Sequence, residues 1–172
     1  MNDLEQRAHD FADKAHAAID HKRKYTGDPY IVHPEAVAEI VRSVAHTPAM
    51  VAASYLHDTV EDTDATFEEI EELFGSEVLA MVKEVTDDKS LPKAERKRLQ
   101  VVHAPSRSPR AKILKLADKT SNLRALATSP PADWSKERRR QYVAWGRDVV
   151  AGLRGACPWL EACFDEAARA AD

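Results

Sequence analysis

Four neighbouring residues supply the densest set of chemically active side chains in this sequence. His57 and Asp58 are adjacent, and Glu61 and Asp62 follow within one further helical turn. One imidazole and three carboxylates at the end of the apolar stretch 50–56 would be costly to bury without a compensating cation. Imidazole and carboxylate together suit a divalent ion such as Mn, Fe or Zn. The segment therefore predicts a divalent metal site.

Further ligands for such an ion must come from elsewhere in the chain. Adjacent residues diverge by about 100° around a helix, so His57 and Asp58 cannot fill the coordination shell together. His33 lies at a predicted helix start, and Asp118 is the one acidic residue in an otherwise apolar helical stretch. Each has an ordinary alternative: an exposed charge pair for His57 and Asp58, a capping residue for His33, and an ion pair with a neighbouring lysine for Asp118. Taken in this order, the four residues indicate a metal site more specifically than any one of them.

The two later carboxylates are candidates for proton transfer. Glu61 lies one helical turn after His57, and Asp62 lies one turn after Asp58. If the helix continues through them, both side chains face the metal side, where they would orient a water molecule and handle its proton. The alternative is a solvated acidic helix end that leads into Asp64.

Cationic residues near these motifs indicate a polyanionic substrate. Arg23 and Lys24 precede the turn that leads to His33. Arginine grips phosphate in a fork and stacks on a base, while lysine acts as a point charge. A second basic cluster, 93–98, would face a pyrophosphate or form a solvated helix face. Tyr142 is as consistent with packing in the protein core as with a contact to the substrate.

Helical periodicity and cap residues place these motifs on an all-α fold of about eight to ten helices, with no credible sheet. A capping-box pattern begins at Thr66, and prolines at 34, 48 and 92 indicate helix starts. The predicted helices are 4–19, 34–44, 50–60, 67–74, 76–85, 93–103, 110–127, 135–153 and a last helix after Pro158.

Bulk properties narrow the class of protein. The 172 residues, 44% hydrophobic and 31% charged, fit one compact domain over residues 1–172. A net charge of −4 argues against nucleic acid as a partner. No apolar run reaches the length of a membrane span, and the charged N-terminus lacks the apolar core of a signal peptide. Two cysteines imply no disulfide framework, so a cytoplasmic location is expected, while the oligomeric state stays open.

The motifs resemble those of a known family. Three segments are similar to motifs of the RelA/SpoT hydrolase domain: residues 23–34, residues 56–63, and residues 115–119 with 122–124. Residues 85–89 and 95–100 resemble the stand-alone small alarmone hydrolases, the animal SpoT-homologue type included. The resemblance runs from about residue 5 to residue 165. It implies a helical HD fold that binds one Mn²⁺ ion per chain, with four ligands: His33, His57, Asp58 and Asp118.

The same resemblance implies an activity. It is hydrolysis of the 3′-pyrophosphate of ppGpp, an alarmone of the stringent response, to GDP and pyrophosphate, or of pppGpp to GTP. Glu61 and Asp62 match the catalytic acidic pair of the family. The positions that match nucleotide contacts are Arg23 and Lys24, with Asn122 and Tyr142 near the nucleoside. One departure is Ala18, where the family often has a histidine.

Two other functions stay open on the sequence alone. A related phosphohydrolase acting on NADPH or on adenosine-based pyrophosphorylated nucleotides would use the same metal chemistry, because only the base pocket differs. A non-catalytic alarmone-binding or antitoxin-like protein would require a damaged metal or acidic motif, and both motifs are intact.

Overall fold

Ten α-helices form the secondary structure of the computed structural model, which describes residues 1–172. In chain order they are α1 (Asp3–Ala18), α2 (Val32–Arg42), α3 (Pro48–Leu56), α4 (Thr59–Asp62), α5 (Phe67–Phe74), α6 (Ser76–Val85), α7 (Lys93–His103), α8 (Pro109–Thr128), α9 (Lys136–Ala151) and α10 (Pro158–Ala171). A 3₁₀-helix, Ala104–Ser106, separates α7 from α8. There is no strand, which confirms the predicted all-α class. None of the helices combines the length and the apolar character needed to span a membrane.

The predicted helix over residues 50–60 is wrong as one continuous element. The chain leaves the helical pattern at His57 and Asp58, between α3 and α4. The hydroxyl of Thr59 donates to the carbonyl oxygen of Leu56 at 2.7 Å, a local bond that competes with the helical ladder. His57 and Asp58 therefore lie at a break, where neighbouring side chains can turn toward one point.

Side-chain caps begin several helices, including the one whose capping box the sequence predicted at Thr66. The Thr66 hydroxyl accepts from the backbone N–H of Glu69, and the Glu69 carboxylate accepts from the backbone N–H of Thr66 at 2.9 Å, completing the capping box of α5. Ser108 and Ser135 cap α8 and α9 in the same way through one bond each. These bonds satisfy N–H groups that a helix start leaves without an intrahelical partner.

The chain forms two compact units. The first comprises residues 1–23 and 28–87. Its central element is α3, in which every residue from Ala49 to Leu56 is buried, and which packs against α1, α2 and α6. Because α3 is apolar on all sides, it is a buried core helix. His57 follows directly after its C-terminal end.

The second unit comprises residues 24–27 and 88–172. Here α8 packs against α10 and α9. The Phe164 ring is fully buried and lies 3.7 Å from where a Cβ atom would stand at Gly146, so α9 and α10 approach closely at that glycine. The indole N–H of Trp145 donates to the Lys97 carbonyl oxygen at 3.0 Å, which ties α7 to α9.

An ionic contact joins α1 to α2. The Nε2 atom of His9 lies 2.8 Å from a Glu35 oxygen, and its Nδ1 atom lies 3.1 Å from an Asp10 oxygen. Partial burial lowers the pKa of His9, but the hydrogen bonds to Glu35 and Asp10 outweigh that effect and raise the pKa above its usual value. The folded protein therefore favours the charged imidazole.

This contact predicts a pH-dependent stability. A histidine whose pKa is raised by folding contributes its stability in full below its unfolded pKa of about 6.5 and loses it as the pH rises through the folded pKa. The unfolding midpoint of the wild-type chain should therefore decline between about pH 6 and pH 8 more steeply than that of His9→Gln, measured by circular dichroism. Parallel pH profiles for the two proteins would contradict this role of His9.

Candidate metal centre

His57 is buried at the end of the core helix α3. Its Nδ1 atom lies 2.7 Å from the carbonyl oxygen of Ser54, and since a carbonyl oxygen only accepts, Nδ1 carries the proton and donates. In neutral histidine this tautomer leaves the lone pair on Nε2. That atom lies 3.0 Å from the Oδ2 atom of Asp58. A backbone bond that fixes the tautomer in this way is usual for metal-binding histidines.

His33 approaches the same carboxylate from the first turn of α2. It is buried, and its Nε2 atom lies 3.7 Å from Oδ2 of Asp58. The His33 and His57 rings lie 5.3 Å apart between centroids. The Tyr30 hydroxyl also donates to this Asp58 oxygen, at 2.7 Å. Two imidazoles and a phenol therefore surround one carboxylate oxygen.

Asp118 is a buried carboxylate on α8. The expected contacts with neighbouring lysines are present, with Lys119 Nζ at 3.8 Å and Lys115 Nζ at 4.0 Å from Oδ2. Both distances exceed that of a direct hydrogen bond. The side-chain amide of Asn122 donates to the other oxygen of Asp118 at 3.3 Å. This places one predicted nucleoside contact directly beside one predicted ligand.

The four predicted ligands form one group. One ligand atom from each of His33, His57, Asp58 and Asp118 lies within 4.8 Å of those of the other three. Lone pairs of imidazole nitrogen and carboxylate oxygen repel each other at such distances unless a proton or cation lies among them. Two nitrogen and two oxygen donors fit a divalent transition ion, so the donor set agrees with a metal site. The assignment of each residue as a ligand stays a prediction.

The structure distinguishes the two acidic residues that the sequence treated alike. The Oε1 atom of Glu61 accepts from the backbone N–H of Asp87 at 2.8 Å. Burial is the main cause that raises the pKa of Tyr30 well above its usual value, and the charges of Asp58 and Asp62 raise it further. Glu61 is thus anchored to the backbone after α6, and the backbone N–H of Asp62 donates to the carbonyl oxygen of Asp58 at 3.0 Å.

Arg23, a predicted nucleotide contact, is buried in the first unit. Its guanidinium carbon lies 6.0 Å from the centroid of the Tyr30 ring, and its backbone N–H donates to the Asp28 carbonyl oxygen at 2.8 Å. A single antiparallel bridge between Lys22 and Pro29 pairs the chain on either side of the turn. Arg23 is therefore held by a structured turn and packs against an aromatic ring that also contacts Asp58.

Comparisons with known proteins decide the family. The sequence profile of the HD domain matches residues 8–155. The chain belongs to the HD domain family. This HD domain is 51% identical over 156 residues to a Xenopus tropicalis protein, guanosine-3′,5′-bis(diphosphate) 3′-pyrophosphohydrolase MESH1, with 87% of each chain covered. The human MESH1 protein of the same name is 49% identical over 156 residues, covering 90% of this chain and 87% of the relative.

A solved structure agrees with these relatives. It belongs to a metazoan orthologue of SpoT that hydrolyses ppGpp and plays a role in starvation responses. The two folds superpose with a TM-score of 0.93 at 44% sequence identity, covering 98% of this HD domain and 96% of that chain. The resemblance seen in the sequence motifs is confirmed.

The second unit of the HD domain contains an aromatic row that the sequence analysis missed. The Trp134 and Tyr142 rings lie 5.4 Å apart, and the Tyr142 and Trp145 rings lie 5.5 Å apart. Lys24, a predicted nucleotide contact, has its ammonium nitrogen 5.0 Å from the Trp134 ring and 5.4 Å from the Tyr142 ring. The spacing of Tyr142 and Trp145, three residues apart on one face of α9, is the signal that would have found two members of this row.

The basic cluster on α7 divides into two kinds of side chain. Arg98 is exposed and donates to Glu95 at 2.9 Å, as expected for a solvated face. Lys97 instead lies 4.8 Å from the Trp145 ring centroid. Burial lowers the pKa of Lys97, and the nearby charges of Lys93 and Arg138 lower it further. The positive charges of these three residues favour binding of an anion.

Proposed function

We propose that this HD domain hydrolyses the 3′-pyrophosphate of ppGpp to GDP and pyrophosphate, and pppGpp to GTP, with Mn²⁺ as cofactor. The observation that carries the proposal is the group formed by His33, His57, Asp58 and Asp118, in a chain half identical to named ppGpp 3′-pyrophosphohydrolases. We further propose that residues 1–172 act as one HD domain in the cytoplasm, where cysteines such as the two unpaired ones here stay reduced.

The metal proposal follows from the donors. The proposed ligands are His33, His57, Asp58 and Asp118, which would hold one ion per chain. Mixed imidazole and carboxylate donors suit Mn²⁺ better than they suit Mg²⁺ or Ca²⁺, which prefer oxygen alone. A bound ion of this kind lowers the pKa of a water ligand and polarises a phosphoryl oxygen.

The acidic pair supplies the proton chemistry. Asp62 is proposed to accept the proton of the attacking water, because it lies one helical turn after the proposed ligand Asp58, with its backbone N–H donating to the Asp58 carbonyl oxygen at 3.0 Å. Glu61 is proposed to orient that water with the oxygen that does not accept from the Asp87 backbone. The two residues are therefore proposed to act as a pair.

The proposed substrate contacts suit the negative charge and the aromatic base of a guanosine polyphosphate. Arg23 and Lys24 would bind phosphate groups, and Asn122 and Tyr142 would lie near the nucleoside. The aromatic row that contains Tyr142 offers ring faces on which a base can stack, and Lys97 with its neighbouring cations offers charge for phosphates. These features support a nucleotide as the substrate, rather than a smaller phosphoester.

A substrate panel tests this proposal. Chelator-treated protein, with and without added Mn²⁺, is incubated with ppGpp, pppApp or NADPH, and the products are separated by ion-exchange chromatography. We expect GDP and pyrophosphate from ppGpp only when Mn²⁺ is present. Phosphate release from NADPH alone would assign the site to the related phosphohydrolase activity. Binding of ppGpp without turnover of any substrate, or turnover that survives exhaustive chelation, would contradict the proposal.

A further inference from the structure

Tyr30 contacts three of the predicted site residues, although the sequence motifs assign it no role. Its hydroxyl donates to Oδ2 of Asp58 at 2.7 Å. Its ring centroid lies 5.8 Å from that of His33 and 6.0 Å from the guanidinium carbon of Arg23. One side chain thus touches two proposed metal ligands and one proposed phosphate contact.

The Tyr30 ring is itself held in place by two histidines. It stacks on the His21 ring with centroids 3.9 Å apart and planes 8° from parallel, and the His16 ring lies 4.7 Å away. The Nδ1 atoms of His16 and His21 are 2.9 Å apart, and His16 is 1% exposed. The Tyr30 backbone N–H also donates to the His21 carbonyl oxygen at 3.0 Å. With its ring and its backbone both fixed, the phenol has little freedom to move.

We propose that Tyr30 is a positioning residue with two separable roles. Its hydroxyl orients the Asp58 carboxylate for metal binding, and its ring supports the Arg23 guanidinium that receives substrate phosphate. The inference rests on the proposed function, because both Asp58 and Arg23 take their roles from it. A carboxylate already bonded in one orientation loses less freedom when it binds an ion, and a cation is attracted to an aromatic face at this distance.

Two substitutions separate the roles. Tyr30→Phe removes the hydroxyl and keeps the ring, so the Mn²⁺ dissociation constant of the chelator-treated chain should rise by about 10- to 100-fold in titration calorimetry. At saturating Mn²⁺, the KM for ppGpp should stay within about twofold of the wild-type value, since the ring platform remains. Tyr30→Leu removes the ring as well, so KM at saturating Mn²⁺ should also rise, by about tenfold.

Tyr55→Phe is the matched control. Tyr55 is a buried tyrosine of the same unit whose hydroxyl accepts from Arg42 at 3.1 Å and lies outside the ligand group. Its loss should leave Mn²⁺ affinity unchanged, and circular dichroism confirms that each variant is folded. Equal Mn²⁺ affinity in Tyr30→Phe and Tyr55→Phe would overturn the hydroxyl role. Equal KM values for Tyr30→Phe and Tyr30→Leu would overturn the ring role.

Failure of the underlying proposal would give a different result. If the wild-type chain binds no Mn²⁺ at all, the metal site itself is contradicted, and the hydroxyl role of Tyr30 with it. If the wild-type chain binds Mn²⁺ and Tyr30→Phe binds it equally well, the metal site stands and the inference about Tyr30 alone is wrong.

Discussion

Asp62→Asn should hydrolyse ppGpp about 10²- to 10⁴-fold more slowly than the wild-type chain while retaining its Mn²⁺ content. The amide keeps the shape of the carboxylate but cannot accept a proton from water. Glu61→Gln should lose less activity, since an amide oxygen can still accept from the Asp87 backbone and preserve that anchor. The measurements are kcat at saturating Mn²⁺ and elemental analysis of the same samples.

Asp64→Asn is the control for this pair. Asp64 follows directly after the acidic motif, is exposed, and has no proposed role, so its replacement should leave kcat unchanged. Full activity in both Glu61→Gln and Asp62→Asn would show that neither carboxylate handles the proton. Loss of metal in either variant would place that carboxylate among the ligands instead.

His57→Ala is expected to remove Mn²⁺ binding and ppGpp hydrolysis together. The substitution deletes one of two nitrogen donors and leaves the Asp58 carboxylate without its closest imidazole. A ligand that binds only the folded state stabilises it, so Mn²⁺ should raise the Tm of the wild-type chain and leave that of His57→Ala unchanged. Thermal unfolding with and without Mn²⁺ measures this difference.

His46→Ala provides the comparison for His57. The His46 ring also contacts a backbone carbonyl oxygen, that of Val44 at 2.8 Å, but it is exposed and far from any acidic motif in sequence. This variant should keep the wild-type Mn²⁺ response. A His57→Ala protein that binds one Mn²⁺ ion with wild-type affinity would exclude His57 as a ligand.

Much of the fold could be predicted because its signals are local. Caps such as Thr66 and Ser135 act within one helical turn, so the sequence alone locates the helix starts. Asp118 was identifiable for a similar reason, since a carboxylate among apolar helical positions has to be compensated in the folded protein. The metal group could be anticipated from residue types, although each member had an ordinary alternative.

The remaining features depend on contacts that periodicity does not encode. At the break at His57 and Asp58, the Thr59 hydroxyl donates to the Leu56 carbonyl oxygen. The helical pattern of residues 50–60 does not reveal this hydrogen bond. The bond that anchors Glu61 comes from the backbone of Asp87, which lies far along the chain. Long-range packing of this kind separates residues that look equivalent in sequence.

Tyr30 illustrates the same limit at the site itself. In the sequence it is one aromatic residue in a turn, and its phenol has no charge that would mark it as a candidate. Only the fold brings its hydroxyl to Asp58 and its ring against His21 and Arg23. A neutral hydrogen-bond donor beside a metal ligand is therefore found from geometry and not from motif chemistry.

Anomalous X-ray diffraction at the manganese absorption edge, from crystals grown with Mn²⁺, would locate the bound ion. The proposed metal site predicts one strong peak per chain, within bonding distance of four residues: His33, His57, Asp58 and Asp118. A peak bound elsewhere, or well-ordered side chains at these four positions with no anomalous signal among them at saturating Mn²⁺, would contradict it.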